Sequence, residues 1–565
     1  MGKRRTLQFP EKWQRLAVVL FFLFLLAAGV VLHDDYGGFT DEFLHIQTAA
    51  MQYKQILSKV MAPDQIPEIP IFDLEALQPF EGYINRYYGE AVMLPTLFIA
   101  ALPGVSLDTA EFLNFRRFYT FLNFWLALIC FYQLLRIRFS NRLLAFAGMQ
   151  MLLLTPRFFA ESFYNCKDIV FFSWFLISLC GIAWYLLGRT KKGLVLFAFA
   201  AALTINTRIY GAALYAFLVL IVFFSELKAD GHPFRKLKAP LAAILFSIAF
   251  YWLITPFLWE NPIRNFFAGL TFASDQVGID PLAVSSGKSL VRLGDAELFM
   301  GQIIAPRDVW YYIPVWIGIT VPVIYLVLFG AGVIALPAAW VRKRRSPSEK
   351  NALLFDSFML IWLVGITALI ILSKATLYHG WRHVYFLYVF ILYLSVYGLN
   401  ELMQLKIRSE IVMRAKKIAL FGVCLASFIS TGSWIVRNHP LDFVYFNEIG
   451  RAAAPQFSRD YWGVASKKCV LDLLNEYDGR RVSLDLNADR TWGSIEFSLL
   501  RLPLKQQAKF DPVWKTENAE YACYSYKNTL GNNFVLEDFE PIHVYRVDGY
   551  DVAAVFKRVK NFKYQ

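Results

Sequence analysis

The most informative chemistry lies in a short acidic segment, residues 33–45 (HDDYGGFTDEFLH), which directly follows the first apolar run. This segment places four carboxylates beside the predicted outer face of a membrane. They belong to Asp34, Asp35, Asp41 and Glu42. A carboxylate is costly to keep ionised where water is scarce, so acidic residues in such a place usually act as a base, pair with a cation or bind a metal. We therefore take this segment as the first part of a candidate site.

Basic and aromatic residues recur in three later segments that are expected to lie on the same face. These segments are residues 155–168 (TPRFFAESFYNCKD), 206–210 (NTRIY) and 374–385 (KATLYHGWRHVY). Their candidate side chains for a substrate or its phosphate are Lys167, Arg208, Tyr210, His379, Arg382 and His383. An arginine presents a planar fork to phosphate oxygens, and a carboxylate near an acceptor can take its proton as a general base. The combination suits a reaction between an anionic phosphate donor and a neutral hydroxyl or amine.

The composition indicates which elements must position these residues. Of 565 residues, 57% are hydrophobic and only 18% are charged, and several apolar runs reach the roughly 20 residues that cross a bilayer. The net charge of +13 comes mainly from short Lys and Arg clusters between these runs, which is the pattern of cytoplasmic loops. The sequence therefore predicts a polytopic α-helical membrane protein, and nucleic acid is not an expected partner.

The order of basic clusters and outer segments predicts the topology. The run at residues 16–32 follows several basic residues and lacks the small-residue cleavage site of a signal peptide, so we expect a retained first helix with a cytoplasmic N-terminus. Pairing inner clusters with outer segments predicts about eleven spans. Residues 91–103, broken by Pro95, are too short to cross, and residues 46–60 are predicted to form an amphipathic interfacial helix that roofs the site.

A change of composition near residue 437 predicts two domains. Residues 1–436 are expected to form the transmembrane catalytic domain, with a first outer loop at 33–115. Residues 437–565 are expected to form a small α+β domain outside the cytoplasm. Its predicted elements are a helix at 466–477, a strand at 482–486 and a hairpin at 544–556 that turns at Asp548 and Gly549.

Cysteines and metal motifs indicate little. Of the six cysteines, only Cys469 and Cys523 fall in the outer domain, where an oxidising compartment would allow a bridge, and spacing leaves bridged and free forms open. No CxxC, HExxH, Walker or GxGxxG pattern occurs in a suitable context. No cofactor is therefore expected, although the acidic residues and histidines leave a divalent cation as an option.

Taken together, the motifs resemble a known family. They are residues 40–43 (TDEF), 156–168 (PRFFAESFYNCKD), 206–208 (NTR) and 378–383 (YHGWRH), with 439–440 (HP) and 460–463 (DYWG) near the outer domain. This set resembles the GT-C superfamily of membrane glycosyltransferases. The most similar branch holds the protein O-mannosyltransferases, the aminoarabinose transferase and their bacterial relatives.

The resemblance implies transfer of a sugar from a polyprenyl-phosphate carrier to a protein, lipid or glycan acceptor. The reaction would take place at the outer face of the bacterial cytoplasmic (inner) membrane, among membrane lipids. By this resemblance, Asp41 is the catalytic carboxylate with Glu42 beside it, and Asp168 is the second acidic residue. The carrier phosphate would meet Arg208, Arg382 and His383.

One departure from the family pattern concerns Asp168. Relatives commonly read Asn-Pro-Lys-Asp, where this chain reads Asn165-Cys166-Lys167-Asp168. Without the proline, the backbone before Asp168 is less constrained.

Each candidate residue also has a structural alternative. Glu42 could be a partner of another side chain, and Arg208 could anchor a helix at the membrane interface. Lys167 and Asp168 could form a cap and a snorkelling pair at a helix start. His379 and His383 could be hydrogen-bonded packing residues.

Two other functions compete with the enzyme. A transporter of a lipid-linked or amphiphilic substrate would place its ionisable groups near the bilayer midplane, often in two similar halves, whereas these charges gather at one face without an internal repeat. A non-catalytic scaffold would leave the charged outer segments without a common purpose.

Overall fold

The computed structural model describes most of the chain, namely residues 11–188, 190–227, 233–276, 296–341, 347–488, 493–532 and 534–559. Within these residues, a helical region is followed by a C-terminal domain built on a β-sheet. The predicted polytopic helical protein with a small α+β domain at its C-terminus is confirmed. The boundary at residue 437 stays a prediction.

The helices of the first region have the following bounds: α1 Glu11–Leu32, α2 Glu42–Leu57, α3 Leu94–Ala100, α4 Thr109–Phe139, α5 Arg142–Leu153, α6 Pro156–Tyr164, α7 Asp168–Leu186, α8 Lys191–Thr207, α9 Gly211–Leu227, α10 Pro233–Leu253, α11 Pro262–Gln276, α12 Tyr312–Thr320, α13 Val323–Val341, α14 Pro347–Leu372, α15 Leu387–Gln404 and α16 Glu410–Asn438. A two-stranded antiparallel ribbon lies between α11 and α12, with β1 at Glu297–Phe299 and β2 at Gln302–Ile304.

Six of these helices are long and apolar enough to cross a membrane in the part of the chain that the structure describes. They are α1, α4, α7, α13, α14 and α16. The pair α5 and α6 would add a seventh span if it counts as one broken helix. The helices α8, α9, α10 and α15 are 17 to 21 residues long. The number of spans depends on which of these cross, so the count of about eleven stays a prediction.

The break between α5 and α6 bends the chain by 66°. Thr155 is extended, with φ −83° and ψ 107°, and Pro156 follows it at the first position of α6. Proline has no N–H and disfavours a helical residue before it, so one helix ends here and another begins. The segment 155–168, which was expected to be an outer loop, is therefore mostly the buried helix α6.

The first outer loop has the expected helix and the expected short apolar run. The predicted amphipathic helix is confirmed as α2, whose buried side chains include Ile46, Ala49 and Tyr53 and pack in one cluster with Leu97 of α3. Helix α3 has only seven residues, and that residues 91–103 do not cross stays a prediction. A position of α2 at the membrane interface stays a prediction.

The central helix of the bundle is α7. In the most apolar stretch of α7, 83% of the residues are buried. In the corresponding stretch of α1, at the edge of the bundle, 17% are buried. Helices α4 and α8 pack along it. Because Asp168 is the first residue of α7, the most enclosed of the six candidate spans carries one of the predicted site residues at its N-terminal end.

The C-terminal domain is a mixed five-stranded sheet with short helices. Its elements are α17 Ser466–Leu473, β3 Val482–Asp485, α18 Ser494–Leu500, α19 Leu504–Gln507, β4 Phe510–Val513, β5 Tyr521–Ser525, β6 Phe539–Val547 and β7 Tyr550–Arg558. The strand order is β4-β3-β5-β7-β6. Strand β3 runs parallel to β4 and β5, whereas β7 is antiparallel to β5 and β6.

The predicted local elements of this domain are confirmed. The hairpin of β6 and β7 turns at Asp548 and Gly549, which have φ of 48° and 87°, as a two-residue primed turn requires. The helix and the strand after residue 466 are α17 and β3. Cys469 and Cys523 are both buried, and no disulfide joins them in the structure.

Candidate active site

Asp41 stands where the loop after α1 enters α2. Its backbone is left-handed, with φ 75° and ψ −3°, and its side chain makes no capping hydrogen bond to the helix. The side chain is half-buried. To the residues that the structure describes, its carboxylate forms no hydrogen bond and no salt bridge. The carboxylate oxygens of Asp41 are therefore unpaired within the described residues.

Asp168 joins two of the predicted arginines. Its Oδ1 accepts a hydrogen bond from Arg208 Nη2, and its Oδ2 lies 3.1 Å from Arg382 Nη1. The side chain of Asn165 fixes the turn before α7, since its Oδ1 accepts the Asp168 N–H at 2.7 Å. A negative charge is favourable at a helix N-terminus. The structure thus brings together three residues that lie far apart in the sequence.

The guanidinium of Arg382 is buried between this carboxylate and aromatic rings. It lies 4.3 Å from the ring centroid of Trp462 and 5.0 Å from that of Tyr378. Burial lowers the pKa of Arg382, but the carboxyl group of Asp168 and smaller contributions, including that of Asp41, raise it above its ordinary value. Asp41 therefore lies within electrostatic reach of Arg382.

Each arginine keeps one unused donor. The Nε atoms of Arg208 and Arg382 are buried and have no hydrogen-bond partner among the described residues. A buried donor without a partner is costly. Both Nε–H groups could therefore donate to an anionic ligand while the same guanidinium groups stay bonded to Asp168.

The ammonium group of Lys167 is hydrogen-bonded to a carboxylate, that of Glu90, which no sequence motif indicates. Its Nζ donates to Glu90 Oε1 at 2.9 Å and to the carbonyl of Gly89 at 2.6 Å, and His45 Nδ1 lies 3.1 Å from Glu90 Oε1. Burial raises the pKa of Glu90, but Lys167 and His45 bring it down to about 2. Glu90 stands in a loop without a motif, so only its tertiary contacts reveal it.

Glu42 has a different environment from its neighbour Asp41. Its carboxylate is buried and accepts hydrogen bonds from Arg117 at 3.3 Å and from both terminal nitrogens of Arg501. Burial raises the pKa of Glu42, but Arg501 and Arg117 lower it below its ordinary value. Glu42 thus has the contacts of an anchoring residue and is not paired with Arg208 or Arg382.

His379 presents a neutral imidazole to the site. It is buried in a left-handed backbone conformation, with φ 59°, and its ring stacks on Tyr461 at 5.1 Å between centroids. Neither ring nitrogen has a hydrogen-bond partner within the described ranges. Burial and the nearby charges of Lys527 and Arg382 hold the pKa of His379 well below its ordinary value. One ring nitrogen can therefore donate and the other can accept.

His383 and Tyr210 link the 206–210 and 374–385 segments. The hydroxyl of Tyr210 donates to the backbone carbonyl of His383 at 2.9 Å, and the His383 ring makes an edge contact with Tyr378 at 4.5 Å. Burial and the charge of Arg382 keep the pKa of His383 well below its ordinary value. These contacts hold the backbone beside Arg382 in place.

Residues 460–463 (DYWG), a motif near the outer domain, reach into the site. Tyr461 stacks on His379, and its hydroxyl donates to Glu161 Oε1 at 2.9 Å. Glu161 also accepts a hydrogen bond from Asn165 at 2.6 Å, so it supports the turn that carries Asp168. Trp462 covers Arg382. The C-terminal domain therefore supplies part of the wall of the site.

A second carboxylate that the sequence analysis missed holds the 374–385 segment. Glu297 of β1 is buried and accepts hydrogen bonds from the N–H of Gly380 at 2.9 Å and from the Tyr312 hydroxyl. Burial raises the pKa of Glu297 to about 7, even though Tyr312 and the N–H of Gly380 act in the opposite direction. The backbone next to His379 is thus fixed from the side of β1.

The described residues contain no group of three or more His, Cys, Asp or Glu side chains that could hold a metal ion. The candidate site contains one carboxylate unpaired within the described residues, two arginines joined by a second carboxylate, and a neutral histidine.

The fold is similar to that of ArnT from Cupriavidus metallidurans, whose crystal structure was solved with bound undecaprenyl phosphate. The TM-score is 0.46 and the sequence identity is 12%, and the match covers 97% of this chain and 99% of ArnT. No protein family profile and no curated protein sequence matches the chain.

Proposed function

We propose that this protein transfers a sugar from a polyprenyl-phosphate carrier to an acceptor at the outer face of the cytoplasmic membrane, with Asp41 as the general base. The observation that carries the proposal is the unpaired, half-buried carboxylate of Asp41 within electrostatic reach of Arg382. The basic clusters between the apolar runs support a cytoplasmic N-terminus and an outer C-terminal domain.

The two arginines suit the phosphate of the carrier. Asp168 holds Arg208 and Arg382 in one place, and the free Nε–H of each can donate to a phosphate oxygen. Charge-assisted hydrogen bonds of this kind are the stronger ones in proteins. When the sugar leaves, negative charge grows on the phosphate, and donors already in position stabilise that charge without further reorganisation.

Asp41 suits the acceptor. An acceptor hydroxyl or amine attacks the anomeric carbon and forms the new glycosidic bond. The bond between that carbon and the phosphate oxygen breaks, its electron pair stays on the polyprenyl phosphate, and the acceptor proton passes to Asp41. General-base catalysis of this kind contributes about 10²- to 10⁴-fold.

The direct test is Asp41→Asn in the purified full-length protein, incubated with a panel of polyprenyl-phosphate-linked sugars. The amide keeps the shape of the side chain but accepts a proton poorly, so we expect kcat to fall by about 10²- to 10⁴-fold. The readout is the polyprenyl phosphate released from the donor. Asp64→Asn is a matched control, because Asp64 is an exposed acidic residue of the same outer loop.

Equal release by the parent and Asp41→Asn would remove the catalytic assignment. Movement of the intact donor across the membrane, without cleavage, would instead favour the transporter. Neither activity would be expected of a scaffold.

A further inference from the structure

We infer that Arg501 is a positioning residue, and that the C-terminal domain holds the loop that carries Asp41 in its working geometry. This inference rests on the proposed function. The side chain of Asp41 has no hydrogen bond to the described protein, so its direction is determined by the residues on either side of it. Those residues are bound largely to the C-terminal domain.

The backbone before Asp41 is hydrogen-bonded to that domain at three points. The N–H of Gly37 donates to the carbonyl of Val464 at 3.1 Å, and the N–H of Thr40 donates to the carbonyl of Trp462 at 2.9 Å. Between them, the N–H of Gly38 donates to Ser498 Oγ at 2.7 Å. The loop thus runs along the C-terminal domain for four consecutive residues, 37–40.

Two glycines make this close approach possible. A Cβ atom on Gly37 would lie 2.2 Å from the carbonyl oxygen of Val464, and one on Gly38 would lie 2.2 Å from that of Ser494. Real Cβ atoms do not approach a backbone oxygen so closely. Any larger residue would push the loop away from the domain.

The residue after Asp41 is bound on both sides. Glu42 accepts hydrogen bonds from Arg501, at the end of α18, and from Arg117 of α4. The side chain of Arg501 is fully buried. Breaking one partner of a buried ion pair is strongly destabilising because it leaves the other charge uncompensated. Arg501 therefore ties the start of α2 to the C-terminal domain.

The left-handed backbone of Asp41 makes this support necessary. A non-glycine residue in that conformation is strained and persists only where its surroundings hold it. Here the holding contacts are the hydrogen bonds of residues 37–40 and the ion pair of Glu42. If they are released, Asp41 can turn away from Arg382 while the arginine pair stays intact.

The test is Arg501→Gln in the full-length protein. We expect kcat for donor cleavage to fall by about 10- to 100-fold, the size of effect seen for small misplacements, while KM for the lipid-linked donor stays within about 2-fold because Arg208 and Arg382 are untouched. Arg480→Gln serves as the control, since Arg480 is an exposed arginine of the same domain, paired locally with Asp478.

Hydrogen–deuterium exchange of residues 37–45 supplies a readout independent of activity. Arg501→Gln should speed exchange in this peptide and leave the rest of the bundle unchanged. The double variant Glu42→Gln with Arg501→Gln should lose no more activity than the more affected single variant, because both act through one contact. If Arg501→Gln does not fold, Ser498→Ala, which removes only the bond to Gly38, should give a smaller change in the same direction.

The outcomes separate the two proposals. Parent-like kcat and parent-like exchange in Arg501→Gln would overturn the positioning role, and so would a rise in KM without faster exchange. Absence of donor cleavage in the parent would refute the proposed function, whereas exchange would still decide whether the domain holds the loop.

Discussion

At the scale of single residues, neighbouring carboxylates in this chain have distinct tasks because their partners differ. Asp41 and Glu42 are adjacent, yet Glu42 is bound by two guanidinium groups and Asp41 by none in the described structure. Asp168 has a third task, since it places Arg208 and Arg382 side by side. Among the three acidic candidates, the free carboxylate is the one suited to acid–base chemistry.

The residue-scale prediction concerns Arg382→Lys. An ammonium group cannot contact Asp168 and also present a second donor in the plane of a phosphate, so we expect the KM for a polyprenyl-phosphate-linked sugar to rise about 10-fold or more. Donor cleavage measured over a range of donor concentrations provides the test. Arg414→Lys is the control, since Arg414 is exposed and pairs only with Glu410 in the described structure. An unchanged KM would exclude Arg382 from the phosphate site.

Residue types in the sequence indicated which side chains could do chemistry, and the structure brings Asp41, Asp168, Arg208, Arg382 and His379 to one region. What the sequence could not show is which of them are already paired. The partner of Glu42 is 459 positions away, and Glu90 and Glu297 belong to no motif. Such pairings depend on tertiary packing, which local spacing does not reveal.

At the scale of elements, the site is built from short connections whose ends are fixed by packed elements. The 374–385 segment includes left-handed residues at Lys374 and His379. The carboxylate of Glu297 binds the N–H of Gly380 in the middle of this segment. Strand β1 therefore determines where the histidine and the arginine of the segment can point.

The element-scale prediction is that the thermal stability depends on pH through Glu297, and that Glu297→Gln removes this dependence. The folded pKa of about 7 lies above the ordinary value of 4.5. The stability that protonated Glu297 contributes is therefore complete below about pH 4.5 and is lost as the pH rises through about 7. Relative to Glu297→Gln, we expect the parent to lose thermal stability between about pH 4.5 and about pH 7. Parallel Tm curves for the two proteins would contradict this, and Glu260→Gln, at an exposed position, should parallel the parent.

Elements with strong local signals were predictable, and those determined by packing were not. The β6–β7 hairpin follows from Asp548 and Gly549, whose residue types favour positive φ at a two-residue turn. Helix α6 was missed, because a segment of mixed charges and aromatics reads as a loop until burial of Phe158 and Phe163 is known. The proline at its start was visible, but the 66° bend depends on what packs around it.

At the scale of the whole molecule, α4 connects the site to the opposite end of the bundle. It begins near Arg117, which contacts the Asp41 loop, and its 31 residues extend about 46 Å. Near its far end, Arg138 Nε donates to Asp356 Oδ1 at 2.7 Å, and Tyr393 donates to the same carboxylate. This buried pair joins α4, α14 and α15 far from the proposed chemistry.

The whole-molecule prediction is that Asp356→Asn lowers the stability of the protein without lowering its activity. Removing one partner of a buried pair costs about 3 to 5 kcal/mol, so we expect a clear fall in the Tm of the purified protein. The kcat per folded molecule should stay at the parent value, because Asp41 and Arg382 are not disturbed. Glu410→Gln, which removes an exposed ion pair, should change neither quantity. An unchanged Tm would show that the Arg138 pair does not stabilise the bundle.

The attachment of the Asp41 loop to the C-terminal domain also bears on how the protein matures. The loop is translated within the first tenth of the chain, whereas Val464, Ser498 and Arg501 emerge from the ribosome near the end. Chains are synthesised from the N-terminus at about 5 to 20 residues per second. The loop therefore lacks its hydrogen-bond and ion-pair partners through most of synthesis and membrane insertion. A nascent chain, or one that lacks these residues, would thus carry the proposed base without its support. Under the proposed function, cleavage of the lipid-linked donor would begin only once the C-terminal domain is in place.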